Sequence, residues 1–199
     1  MSAPTRGDLR KVRRLARYLI SKPRLLLKYD FQFEADSLQA YSDSDWAGCK
    51  RTAKSTSGGC VMKGGHCIKS WSSTQKSISL SSAEAELVAV VKISAEALGM
   101  QQLMGEWNIN LKCCVFADSS AALGIVNRKG NGKMRHVKIG MLWIQEKREA
   151  GEIEFEKVAG AINPGDLMTK YLTLKMIEAH LGIMNLIFSE GRSKLAPDL

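Results

Sequence analysis

The sequence predicts an α/β domain with a mixed sheet and helices on its faces. Three observations carry this. Three strand-like runs come first, with Gly64-Gly65 between the second and third as a two-residue hairpin signal. A long Ala/Leu/Val-rich helical stretch follows. The remaining strand-like runs are then separated by helices, so the later strands join through crossovers.

In chain order, residues 8–21 read as a helix. Leu9, Val12, Leu15, Ala16 and Leu19 recur at helical spacing, with Arg10, Arg13, Arg14 and Arg17 between them, and Ser21-Lys22-Pro23 ends it. The expected form is a solvated basic face and a packed apolar stripe. Strands are predicted at Leu38–Asp43, Gly59–Lys63 and Cys67–Ser72. A helix runs from about Ser81 to Trp107, where Ser82, Glu84 and Glu86 suit a capped first turn. A strand at Cys113–Ala117 leads to a helix at Ser119–Asn127. A Gly/Lys-rich loop at 128–133 precedes a third helix at about Val137–Ala150, which Gly151 ends. Glu152–Val158 reads as a strand. Asn163 as cap and Pro164 at the first helical position start a final helix. Residues 189–194 lack periodicity and read as a loose tail, and no internal repeat is visible.

The chain has 199 residues, enough for one well-buried domain and an appendage, and a formal net charge of +9. That charge favours nucleic acid or an anionic surface as partner. The five cysteines (Cys49, Cys60, Cys67, Cys113 and Cys114) form no C-x-x-C pair, which argues against zinc and for reduced thiols in an intracellular setting. No uninterrupted apolar stretch is long enough to span a bilayer, and the start does not resemble a secretory signal.

Four acidic segments are the candidates for chemistry: Tyr41–Trp46, Ser81–Leu87, Phe116–Ser120 and Asn163–Lys170. Each carboxylate has a plain structural role open to it. Asp118 suits a helix cap. Asp166 suits the third position of a helix, beside exposed N–H groups. Glu84 and Glu86 suit a solvent face. Asp43 to Gly48 looks like the start of a calcium loop, but its twelfth position is Lys54 instead of a bidentate Glu. Carboxylates that converge repel one another unless a cation sits between them, and hard divalent ions take such oxygen ligands. Asp43 and Asp45 are two apart, so on a strand both face one side. Glu84 and Glu86 are two apart on a helix, so only one enters a shared site. Spacing alone does not choose between the members of either pair.

Several motifs together resemble the ribonuclease H domain of copia-type LTR retrotransposon Pol polyproteins. They are Tyr41–Gly48, Lys54–Gly59, Ser70–Ser73, Ser81–Glu86, Ala117–Ala122, Arg135–Ile139 and Asp166–Lys170. The resemblance covers about residues 38–172. It implies a ribonuclease H-like mixed sheet, three antiparallel strands then two parallel strands, flanked by helices. It also implies three regions. Residues 1–37 form a basic helical segment similar to the end of a reverse transcriptase region, 38–172 the ribonuclease H-like domain, and 173–199 a C-terminal helix extension and loose tail.

By the same resemblance, Asp43, Glu86, Asp118 and Asp166 are metal ligands for two Mg²⁺ ions, with Mn²⁺ possible, held roughly 3.5–4 Å apart. The implied reaction is hydrolysis of the RNA strand of an RNA/DNA hybrid, and the implied partner is the reverse transcriptase region of the same polyprotein. Ser119 and Ser120 are placed for groove contacts where the 2′-OH separates RNA from DNA. Ser81 and Ser82 suit a phosphate or a helix cap. Lys133 and Arg135 suit phosphate contact, and His136 is structural or substrate-facing and not a metal ligand. The chain departs from cellular members in having no histidine before Asp166: its three are His66, His136 and His180. The polymerase aspartate motif is absent. The rival expectation is a retroelement relic that keeps the fold and only binds nucleic acid or supports a polymerase.

Overall fold

The computed structural model describes residues 3–130, 132 and 139–191. The chain divides into two compact units, residues 1–28 with 186–199, and residues 29–185.

The first unit is built on helix α1 (Arg6–Ser21). Thr5 caps it in a reciprocal box: its hydroxyl accepts from the Asp8 N–H, and the Asp8 carboxylate accepts from the Thr5 N–H at 3.0 Å. The expected apolar stripe is present but not packed away. Leu9, Val12, Leu15 and Leu19 stay about half exposed, and α1 buries no residue. Strand β1 (Arg24–Leu27) pairs antiparallel with β7 (Leu186–Ser189). Tyr18 meets Phe188 edge-on at 6.4 Å, and the Lys22 ammonium lies 4.5 Å from the centre of the same ring. The sequence reading had no counterpart for this two-stranded sheet.

The second unit holds β2 (Ser37–Asp45), β3 (Thr56–Lys63), β4 (His66–Thr74), α2 (Ser82–Gly105), β5 (Lys112–Ala117), α3 (Ser120–Val126), α4 (Trp143–Glu149), β6 (Glu154–Lys157) and α5 (Leu174–Ile183). Sheet order is β4-β3-β2-β5-β6. β2, β3 and β4 run antiparallel, and β5 and β6 lie parallel to β2, so the expected mixed sheet is the one observed. Gly64 turns the β3–β4 hairpin with a φ of +58°, a value that suits glycine. α2 presses Leu87, Val90, Ile93 and Ala97 onto Leu38, Ala40, Val61 and Val115, all fully buried. By length and composition alone α2 would pass as a membrane span, although Glu86, Lys92 and Glu96 interrupt its apolar run. Its packing onto the sheet makes it the core helix of this unit.

Two helices differ from expectation. The third is α-helical only over Trp143–Glu149, preceded by a 3₁₀ turn at Ile139–Met141; residues 133–138 lie outside the described residues. The last does not run on from Pro164. Pro164–Met168 forms a 3₁₀ turn, and α5 starts afresh behind the cap Thr173. Tertiary packing overrides the local start signal. The turn is wedged against β2 and β3, and the flanking Asn163, Thr169 and Lys170 side chains bond to β2. Gly58 makes room for it, since a Cβ there would lie 2.3 Å from the Met168 Cβ.

Candidate metal centre

Asp43 sits near the end of the central strand β2, opposite Gly58 of β3, and is fully buried. Glu86 lies in the first turns of α2, behind the cap Ser81. Asp118 follows directly after β5. Parallel pairing of β2 with β5 and the packing of α2 on the sheet bring these three together. One carboxylate oxygen from each lies within 4.8 Å of the others. Asp166 lies on the 3₁₀ turn and is outside that triplet.

The triplet is electrostatically costly without a cation. Burial pushes the Glu86 carboxyl up to about 8, and the nearby Asp43 and Asp118 charges push the same way. The Glu86 Oε2 is buried and makes no hydrogen bond among the described residues. Burial also raises the Asp43 carboxyl, partly offset by the Thr169 hydroxyl and the Lys170 ammonium, both of which donate to it. The Lys170 Nζ lies 3.0 Å from Asp43 Oδ1 and 2.8 Å from Asp166 Oδ1. An unmatched carboxylate oxygen and two further carboxylates, with no histidine or cysteine in the cluster among the described residues, fit a hard divalent ion.

The alternatives that spacing left open are separated by hydrogen bonding. Asp45 accepts from the Thr56 N–H and so closes the loop after β2. Glu84 accepts from the Leu80 N–H at 2.7 Å and so caps the entry to α2. Both are occupied structurally, and Asp43 and Glu86 are the members that face the cluster.

The serines divide as well. Ser81 and Ser119 each cap a helix, accepting at 3.2 Å from the N–H of Glu84 and Ala122. Ser82 and Ser120 are exposed, and the Ser120 hydroxyl accepts from the Lys157 ammonium at 2.6 Å. Lys133, Arg135 and His136 lie outside the described residues.

Sequence reasoning gave no role to Thr169, Lys170 or Lys157. The four-residue spacing of Asp166 and Lys170 was the available signal for the lysine. It also read Asn163 only as a cap. The Asn163 amide accepts from the Gly165 N–H at 3.1 Å, and its Nδ2 donates to the Ser42 carbonyl at 2.9 Å, tying the turn to β2. Asn163→Ala is expected to lower stability by about 2 kcal/mol, the cost of a lost cap and a lost buried bond. Chemical denaturation would check it, and wild-type stability would mean Asn163 does not anchor the turn.

The sheet order and the carboxylate cluster on it define a ribonuclease H-like domain. No family model matches the chain. It is similar to the retrovirus-related Pol polyprotein from transposon RE1 of Arabidopsis thaliana, with 34% identity over 179 residues, 87% of this chain and 12% of that polyprotein. It is also similar to the retrovirus-related Pol polyprotein from transposon TNT 1-94 of Nicotiana tabacum, with 27% identity over 143 residues, 71% of this chain and 11% of the relative. The chain thus spans only about an eighth of the length of these curated relatives. Among solved structures, LC11-RNase H1 isolated from compost overlays with a TM-score of 0.47 and 16% identity, covering 67% of this chain and 92% of that one. The chain is thus similar in sequence to a region of retrotransposon Pol polyproteins.

Proposed function

We propose that this chain hydrolyses the RNA strand of RNA/DNA hybrids with Mg²⁺, for which Mn²⁺ can substitute. The observation that carries the reading is the buried triplet of Asp43, Glu86 and Asp118, whose Glu86 has an orphaned oxygen and a raised pKa. These three would hold a divalent ion, with Asp166 as the fourth acidic group of the site. The ion, when bound, would activate water and stabilise the leaving oxygen.

The chain's own groups set up the site. Thr169 and Lys170 fix the Asp43 carboxylate. Glu86 would release its proton to solvent on holding a cation, whose charge would offset its lost solvation. The exposed Ser120 hydroxyl and the neighbouring Ser119 lie next to Asp118, where the ribose 2′-OH of one strand would be sensed. The net charge of +9 supplies attraction for the phosphate backbone. The reverse transcriptase region of a Pol polyprotein is the proposed partner, and the unbridged thiols support an intracellular setting.

The test is cleavage of a hybrid labelled on either strand, with Mg²⁺ and with a chelator. The reading requires RNA-strand products with Mg²⁺ only; cleavage in chelator or of the DNA strand alone contradicts it. Lys133→Ala with Arg135→Ala is expected to flatten the salt dependence of hybrid binding by roughly one unit per lost phosphate contact, without changing which strand is cut. An unchanged slope would remove phosphate contact from these two residues.

A further inference from the structure

We propose that two copies of this chain associate reciprocally, each laying its helix α1 across an aromatic patch at Phe31 and Phe33 of the other.

The patch is one half of the contact. Phe31 is 95% exposed and Phe33 is 91% exposed, an unusual place for two adjoining phenylalanines. Their rings meet edge-on with centres 6.4 Å apart. The segment that carries them is pinned. Gln32, between the two, is clamped to the β3–β4 hairpin: its Nε2 donates to the Lys63 carbonyl at 2.9 Å, and its Oε1 accepts from the Gly65 N–H at 2.8 Å. The Tyr29 hydroxyl donates to the Cys67 carbonyl at 3.1 Å. The rings are therefore held out in advance, and a partner that covers them has little left to order.

The charge around the rings selects that partner. Residues 29–36 include Asp30, Glu34 and Asp36 and no basic residue. These acids repel phosphate, so the patch disfavours the nucleic acid and anionic surfaces that a net charge of +9 otherwise attracts. It fits a partner that is both apolar and basic. Helix α1 has that chemistry. Leu9, Val12, Leu15 and Leu19 form its half-exposed stripe, and six basic residues stand on it against one acid, Asp8. Successive turns of a helix are about 5.4 Å apart, close to the spacing of the two rings, so neighbouring turns of the stripe can receive one ring each.

Area argues for reciprocity. One helix on two rings covers well under the roughly 1,200 Å² of total surface that a specific interface buries. Every copy carries both the stripe and the patch. A twofold pair uses both contacts at once, doubles the buried area and leaves no open end.

The experiment is sedimentation equilibrium of the full chain across the micromolar range. Wild type is expected to show a monomer–dimer equilibrium. Phe31→Ser with Phe33→Ser should weaken it by about tenfold or more, and Val12→Gln with Leu19→Gln should do the same. Both pairs of positions are exposed, so each variant keeps its fold. Glu34→Lys with Asp36→Lys should also weaken the pair, through like charge. The stripe variant mixed with the patch variant retains one intact contact, so the mixture should form a heterodimer that neither variant forms with itself. A wild-type chain that stays monomeric would overturn the proposal and leave the stripe to a different polypeptide. Dimers that persist in the stripe variant but not in the patch variant would mean that the rings pair with each other, and would also overturn it. So would a mixture that forms no heterodimer.

Discussion

Glu86→Gln is expected to raise the unfolding temperature of the metal-free protein at alkaline pH and to reduce hybrid cleavage to under about one per cent. The sign follows from the carboxyl's environment. Its folded pKa of about 8 lies above the ordinary value of 4.5, so the folded state holds a proton that the unfolded state releases. Stability is therefore fullest below pH 4.5, falls as pH rises through the interval, and stops falling above about 8. A glutamine does not ionise and escapes this loss. The gain over wild type should be near zero at pH 4.5 and largest above pH 8, on the order of a few kcal/mol at most. The activity loss follows from the proposed function, in which the amide would replace a charged ligand and metal charge stabilisation is worth several kcal/mol. Thermal scans in chelator at pH 5 and pH 8.5, with a cleavage assay, check both halves. A variant less stable at both pH values would contradict the crowded, desolvated cluster, and normal cleavage would remove Glu86 from the metal site.

Gly58→Ala is expected to be damaging although it adds one methyl group. The new Cβ would lie 2.3 Å from the Met168 Cβ and 2.9 Å from the Thr169 Cγ2, with the Met168 backbone carbon at 3.2 Å. The two nearest partners lie on the turn that carries Asp166 and Lys170, and that turn is packed against β2 as well. The strand cannot yield because Gly58 is paired to Asp43 on one side and Ser72 on the other. The turn must move. Overpacking of this kind costs about 1–3 kcal/mol. It also separates Thr169 and Lys170 from Asp43, so cleavage should fall more than the stability change alone predicts. A Gly58→Ala protein with wild-type melting and activity would show that the turn adapts freely.

The elements read well where the signal was local. The Gly64-Gly65 hairpin, the long apolar helix and the Asn163 cap each depend on neighbours in sequence, and each is present in the structure. The losses came where distant packing decides. β1 and β7 are four residues each and lie at opposite ends of the chain, too short for alternation to register. The helix start at Pro164 is sound in isolation but yields to the wedge against β3. The site was legible as a set of acidic segments but not in its pairings. Asp43 and Asp45 share a face by spacing, and the Thr56 N–H that engages Asp45 comes from the next strand. Glu84 was separable only through the Leu80 N–H. Lys170 lay in view within the last motif, and nothing local indicates that its ammonium reaches a carboxylate on β2.

The central position of β2 gives Asp43 and Asp166 different clocks. β2 is hydrogen-bonded to β3 on one side and β5 on the other, so the backbone around Asp43 opens only when the sheet does. Asp166 rides on a single 3₁₀ turn tied to β2 through Asn163, Thr169 and Lys170. Deuterium should label the amides of Gly165 to Met168 long before those of β2. The surroundings of Asp166 therefore open on a faster clock than those of Asp43.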